Sequence, residues 1–508
     1  MNRLTTVIYA YGLIGLTCIF CIITLLHGQI IDDSFITYRY AWNLVHGNGL
    51  VFNKGEHVEG ITSLTWTLIS ALILALKLTI SKVTPYLGLC LSLLAVVISV
   101  CASRKAGASN AIIILCAIPL LTNEHFWLAS RNGMETALAI FLVALTFQQF
   151  LLGRYWACVC LTPILFLTHP ELVVYYPLLA LTSLLGKRCR GTEITPAHLT
   201  ISTFGRQILM IGLMLTIIEL VRYQYYDSFL PNSMMAKTGY NLAFIQIIEQ
   251  AARGFGYTAG FFFSFPITIA FFLALLIFHE TKLLLISFVP LAFQLMVVVT
   301  NGGDWTHHFR LLIAFILPIL ISMAVWLSTV DFAGDRIKTW LPVVSAFFLG
   351  LNMLHFAPLI IGSESLHNTT CNRYIASSIR PYIQKNTTLS AEAIGQISYL
   401  YPSHYFHDFL GLTDRHIALH GNYFHPQYGK SDYRYTVDQI APDIIITHSG
   451  DSQLKLMDYF SAGRFSKNYI RTTLKAPGIC QREGKVIRIA IKKGGNVSHD
   501  IFAVLKRL

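Results

Sequence analysis

Residues 32–60 read DDSFITYRYAWNLVHGNGLVFNKGEHVEG and follow directly on the apolar run 7–26, so two adjacent carboxylates, Asp32 and Asp33, stand where a first hydrophobic span ends. Anions beside hydrocarbon are costly, and an ionisable pair in that position marks a functional site with ion binding or lipid-phosphate chemistry to perform. A competing reading makes the aspartates caps of a surface helix. Beyond them the stretch stays polar to Gly60, which sets it apart as a loop and its predecessor as a membrane-spanning segment.

The rest of the chain agrees with a membrane setting. Of its 508 residues, 54% are hydrophobic and 13% charged, against about 25% charged in soluble domains, and the mean hydropathy is +0.56. The net charge of +12 sits largely in short connections between apolar segments. No basic helix with interleaved aromatics accompanies it, so the expected partner is the lipid bilayer and not nucleic acid. Residues 1–28 have a basic head and no small-residue cleavage site, as in an uncleaved first helix.

Eleven apolar segments read as spans, set against the ~20 residues a bilayer requires: 7–28, 84–103, 109–123, 135–152, 155–170, 171–186, 207–226, 257–278, 283–300, 309–329 and 339–361. A further segment, Ile61 to Leu78, decides orientation. If it lies along the outer surface or re-enters it, the connections at Arg104-Lys105, Arg154, Lys187 to Arg190, His279 to Lys282 and Asp331 to Lys338 become cytoplasmic, as the positive-inside rule requires. The same parity places the polar loops at 32–60, 124–135, 169–171, 227–256 and 301–310 outside, together with the tail. The expected fold is thus a polytopic α-helical membrane protein with about eleven transmembrane helices, an outer membrane-parallel or re-entrant segment and a C-terminal α/β domain, divided at 1–361 and 362–508.

In the tail, Thr388 to Ser398, Asp443 to Thr447 and Val486 to Ile491 read as strands and Ser452 to Tyr459 as helix. Eight of the ten cysteines lie in or beside apolar segments and read as small hydrophobes. Cys371 and Cys480 remain, a disulfide pair if the tail faces an oxidising compartment. No Walker motif, dinucleotide fingerprint or repeat supports ATP-driven transport.

The outer loops collect acids (Asp32, Asp33, Glu56, Glu59, Glu124, Glu135, Glu171, Asp304) and cations (Arg39, Arg131, Lys237, Arg310). That mixture suits transfer of a sugar from a phosphate leaving group: a carboxylate takes the proton of an acceptor hydroxyl while Arg or Lys holds the departing phosphate. A divalent cation held by paired carboxylates, here Asp32 and Asp33, would stabilise the same leaving group, and the spacing does not choose between the two. Bland readings stand beside these. Asn301 to Trp305 also reads as a tight turn with an interfacial tryptophan. Adjacent His307 and His308 diverge and make a poor metal pair. Lys237 reads as a snorkelling lysine, and Arg131 with Glu135 as a helical pair.

The run Asp32 to Ala41, with Gly47-Asn48-Gly49-Leu50-Val51-Phe52-Asn53 and Val58-Glu59-Gly60, resembles the first outer loop of bacterial GT-C glycosyltransferases related to the mycobacterial terminal arabinofuranosyltransferase. Gly133-Met134-Glu135-Thr136, His169-Pro170-Glu171, Leu230-Pro231-Asn232 to Lys237 and Gly302-Gly303-Asp304-Trp305 follow in the same order, and Asp408 to Asp414 and Pro442 to Ile445 extend the likeness into the tail. The resemblance implies an inner-membrane enzyme with its active site and tail in the periplasm, taking a sugar from a polyprenyl-phosphate donor. It implies Asp32 or Asp33 as the catalytic or metal-binding acid. His169 stands where relatives carry Arg, and Met134 where they carry Leu.

The reading that results is a glycosyltransferase building a cell-envelope or lipopolysaccharide glycan. Asp33 or Asp32 acts as base or cation ligand; Arg39, Arg131, Lys237 and Arg310 hold the donor phosphate; Glu59, Glu135, Asp304, Trp305 and His307 shape the sugar and acceptor pocket. The alternatives are a transporter or flippase of a polyprenyl-linked sugar, which would gather polar residues at broken helices near mid-membrane, and a purely structural membrane protein.

Overall fold

The computed structural model describes residues 15, 30–186, 199–237, 244–306, 308–330, 364–425, 429–448, 463–474 and 487–497. The chain forms two compact units.

The first unit comprises Met1–Gly28, Thr84–Leu220 and Ile248–Gly362. Its described elements are helices, most of them with apolar residues on every face, the pattern of segments surrounded by protein or lipid; Glu124–Arg131 and Phe244–Ser264 are amphipathic. Ile201–Tyr226 presents Leu209, Leu213 and Leu220 as exposed side chains, a surface suited to hydrocarbon and not to water. Among the described residues, three helices are long and apolar enough to cross a membrane: Ile80–Lys105, Ile201–Tyr226 and Thr281–Thr300. Counting each of two bent pairs as one span raises the number to five, with five shorter apolar helices beside them. The expected segment 339–361 and, apart from Gly15, 7–28 lie outside the described residues.

The expected span 257–278 is broken and the expected span 109–123 bends into a helix where a loop was expected; one amide joins the two breaks. Asn110–Leu121 and Glu124–Arg131 meet at 67°, and Ile245–Ser264 and Pro266–Ile277 at 85°. Asn123 caps the helix Glu124–Arg131, its Oδ1 accepting from the amide of His125 at 2.9 Å. Its Nδ2 donates to the carbonyl of Ser264 at 2.9 Å, at the last residue of the other broken helix. Pro266 begins the next helix at its first position, where a missing N–H costs nothing.

The second unit comprises Gln29–Val83, Val221–Ile247 and Ser363–Leu508, so the tail shares its core with the first loop. Its sheet has strands β1 (Leu389–Ala391), β2 (Phe406–Asp408), β5 (Ile444–His448), β6 (Tyr469–Leu474) and β7 (Ile487–Lys492) in the order β2-β1-β5-β7-β6. The pairs β1–β2 and β1–β5 are parallel, β5–β7 and β6–β7 antiparallel. A separate hairpin pairs β3 (Asn422–His425) with β4 (Gly429–Ser431). The strands expected near 443 and 486 are present. That expected over Thr388 to Ser398 ends at Ala391 and gives way to the helix Ile394–Leu400, whose amides at Gly395 and Gln396 are taken by the carboxylate of Asp32. The expected helix Ser452 to Tyr459 lies outside the described residues. Cys371 is disulfide-bonded, while Cys480, its expected partner, lies outside the described residues.

The core of this unit shows why the loop and tail belong together. Ile36, Tyr40, Phe52 and Ile61 of the first loop pack in one cluster with Ile375, Leu389, Ile397, Phe406 and Ile444 of the tail. The helix Leu64–Ala75, within the ambiguous segment Ile61 to Leu78, is capped by Ser63, whose hydroxyl accepts from the amide of Trp66. It packs on the helix Asp32–Val45 and belongs to this unit.

Candidate active site

The two acids of the first loop open the helix Asp32–Val45, where first-turn anions complement the helix dipole. They are not equivalent. One oxygen of Asp32 accepts from the amide of Gln396 and from Asn372 Nδ2, each at 2.9 Å, and the other from the amide of Gly395 at 2.9 Å. Asp32 therefore does cap a helix, but the helix is Ile394–Leu400, more than three hundred positions away. Burial, set against these donors, pushes its carboxyl up to about 6. Gly395 is required here: a Cβ would stand 1.9 Å from the carbonyl oxygen of Asp32. Three N–H donors on Asp32 are the wrong surroundings for a divalent cation. Among the described residues, no three His, Cys, Asp or Glu gather to hold one. Asp33, the next residue, is half-buried.

Arg39 corrects an expectation. Its side chain is buried and its guanidinium spends its donors on the chain itself: Nε on Phe52 O (2.8 Å), Nη1 on Ser398 O (2.5 Å) and Tyr401 O (3.3 Å), Nη2 on His404 O (2.6 Å) and Asn53 Oδ1 (3.2 Å). The group lies 4.6 Å over the ring of Phe52 and 5.5 Å from that of Phe406. An arginine so used is a clamp between loop and tail and has no fork to offer a phosphate. Glu59 likewise is engaged, by Arg222 through Nε (3.0 Å) and Nη2 (2.7 Å). A cation inside the apolar run 207–226 must find such a partner, which is the signal that would have identified Arg222. Lys237 closes the short helix Asn232–Lys237, half-buried.

In the first unit buried polar contacts link residues from three loops and one helix. His169 Nε2 lies 3.1 Å from Glu135 Oε1, and Nδ1 lies 3.0 Å from Glu171 Oε1. The ring hydrogen-bonds Glu171 through Nδ1 and has Glu135 within ion-pair distance of Nε2, and two flanking carboxylates favour its cationic form. Gln294 Nε2 donates to the carbonyl of Leu311 at 2.9 Å and approaches Glu171 at 3.5 Å. Arg310 grips Asp304 with Nε (2.5 Å) and Nη2 (2.9 Å), while Nη1 contacts Met134 Sδ at 2.8 Å. Thr306 Oγ1 donates to the same carboxylate. Arg310 and Asp304, assigned separately to phosphate and sugar, prove to be partners. The turn that carries Asp304 needs its glycines, since Gly302 and Gly303 adopt φ of 76° and 79°. Arg131 ends the helix Glu124–Arg131, half-buried, as is Trp305; His307 lies outside the described residues.

These features define a class: a helical membrane protein with broken apolar helices, buried charge networks in its loops, and a tail folded onto its first loop. Crystal structures of ArnT from Cupriavidus metallidurans share the fold over nearly their whole length. The apo structure superposes with a TM-score of 0.56 at 12% identity, covering 95% of this chain and 97% of that one. The structure bound to undecaprenyl phosphate gives 0.54 at 12% identity, covering 98% and 99%. A family model described as a domain of unknown function (DUF8728) matches residues 364–488. No curated protein sequence matches the chain.

Proposed function

We propose that this protein is a membrane glycosyltransferase of the GT-C type that moves a sugar from a polyprenyl-phosphate donor to a cell-envelope or lipopolysaccharide glycan at the periplasmic face of the inner membrane. The observation that carries the reading is the full-length likeness to ArnT, one of whose structures holds undecaprenyl phosphate. The disulfide at Cys371 supports an oxidising location for the tail.

In this reaction the acceptor hydroxyl oxygen attacks the anomeric carbon, the bond from that carbon to the phosphate oxygen breaks, and polyprenyl phosphate leaves with the electron pair. Asp33 takes the hydroxyl proton as general base. Asp32, committed to three N–H donors, holds the helix that carries Asp33. Arg131 and Lys237 are assigned to the donor phosphate. The Asp304–Arg310 pair fixes the loop that carries Trp305, and Trp305 and His307 are the residues now assigned to the sugar. No metal is invoked.

The two broken helices are the feature a transporter would share. Reconstituted protein supplied with polyprenyl-phosphate sugars and an envelope glycan separates the readings. Product formed by wild-type protein and lost in a folded, inserted Asp33→Asn variant supports transfer with Asp33 as base. Retained activity in that variant removes Asp33 from the mechanism, and donor crossing the bilayer without product replaces the enzyme by a flippase.

A further inference from the structure

The second unit contains a cleft of about 390 Å³, lined by neither Asp32 nor Asp33, to which no role has yet been assigned. Its volume lies within the ~300–1,000 Å³ of small-ligand sites, space for one or two sugar rings. Three separate parts of the unit build it: the end of the first loop (Glu56, His57), the last turn of the helix Ile201–Tyr226 and the residue after it (Tyr225, Asp227), and the tail (Tyr405, Tyr435).

Its chemistry is specific. Rings line it from every part, with His57 edge-on to Tyr225 at 4.6 Å and His416 stacked on Tyr435 at 3.8 Å. Such rings are amphipathic, offering an apolar face to C–H groups and a polar edge to hydroxyls. The charged residues are Glu56, Asp227, Asp414 and Arg415; Arg415 pairs with Asp227 at 3.7 Å and His407 lies 3.2 Å from Asp414, which leaves an excess of carboxylate that disfavours phosphate. Each carboxylate keeps acceptor capacity beyond its present bonds, since a carboxylate offers about four lone-pair positions. Glu56 accepts from Asn53 Nδ2 at 3.0 Å, and Asn53 Oδ1 accepts from Arg39, so this wall is fastened to the buried clamp. Asp414 accepts from the amide of Ile417 at 2.9 Å. Asp227 stands with φ 51° and its side chain 80% exposed. Aromatic faces beside carboxylates, with the charge that excludes anions, are the requirements for a hydroxyl-rich ring without phosphate.

We propose that this cleft binds a neutral or amino sugar of the acceptor glycan, stacked on the tyrosines and hydrogen-bonded by Glu56, Asp227 and Asp414. The word acceptor rests on the glycosyltransferase reading; the sugar site does not. Full-length protein in detergent is titrated with methyl glucoside, methyl glucosaminide and glucose 6-phosphate, with binding followed by saturation-transfer NMR. The uncharged and amino glycosides are expected to bind, the phosphate at least about tenfold more weakly. Tyr405→Ala and Asp227→Asn are each expected to weaken glycoside binding by about three- to tenfold. Asp227 is so exposed that its variant keeps the fold. Preference for the phosphate, or binding unchanged in both variants, overturns the sugar site. Glycoside binding retained in Asp33→Asn while transfer is lost separates this site from the catalytic acid. Glycoside binding by a wild-type protein that transfers nothing keeps the sugar site and removes the acceptor assignment.

Discussion

Replacing Arg39 by Met separates a buried clamp from a phosphate ligand. The guanidinium makes five hydrogen bonds, four of them to backbone carbonyls of Phe52, Ser398, Tyr401 and His404. Burial pushes its pKa down only to about 9, so it is a cation at neutral pH. Hydrogen bonds to a charged group contribute about 1.5–3 kcal/mol each when taken singly. They share one side chain and are not additive, and removing one member of a buried charged network costs about 3–5 kcal/mol. For a unit of this size each kcal/mol is worth roughly 2–4 °C of unfolding temperature, so Arg39→Met is expected to lower it by about 10 °C. Arg39→Lys is expected to fall nearly as far, because a compact ammonium cannot reach acceptors set out for a planar fork. Thermal unfolding of detergent-solubilised protein, paired with the KM for a polyprenyl-phosphate sugar, reads both quantities. An unchanged unfolding temperature with a raised donor KM would refute the clamp and restore Arg39 to the phosphate.

Asp408 and His169 test the other buried groups. Burial pushes Asp408 up to about 6 from 3.8, against donors from Leu410 and Thr413. Its folded value lies above its unfolded one, so its contribution is full below about pH 4 and is lost as pH rises through 6; two units correspond to about 3 kcal/mol. Asp32, raised to the same value, contributes a like slope, so unfolding temperatures measured from pH 4 to 7.5 should fall in wild-type protein and fall about half as steeply in Asp408→Asn; equal slopes would remove Asp408 as a source. His169→Gln leaves Glu135 and Glu171 without their cation and is expected to cost about 3–5 kcal/mol of stability, with transfer lost. His169→Arg keeps a cation between them and is expected to retain most of both. A glutamine variant as stable and active as wild type would show that the charge at this position is dispensable.

The sequence by itself determined that the chain is a membrane protein and which loops carry its polar residues. Hydropathy and charge are local properties, and the bilayer imposes them on each segment separately. It also picked out most of the residues later found in networks, because a charge beside hydrocarbon needs a reason wherever it occurs. Partnership was beyond it. Asp32 and Asp33 are adjacent and chemically identical, yet one is tied to Asn372, Gly395 and Gln396 by a tail that folds back onto the first loop. Arg39 reads like any outer-face arginine until the carbonyls of Ser398 and His404 close around it. His169 reads as neutral until Glu135 and Glu171 meet it from both sides. Tertiary structure decided which partners each charge meets, since a hydrogen bond depends on distances in space that separation along the chain does not encode.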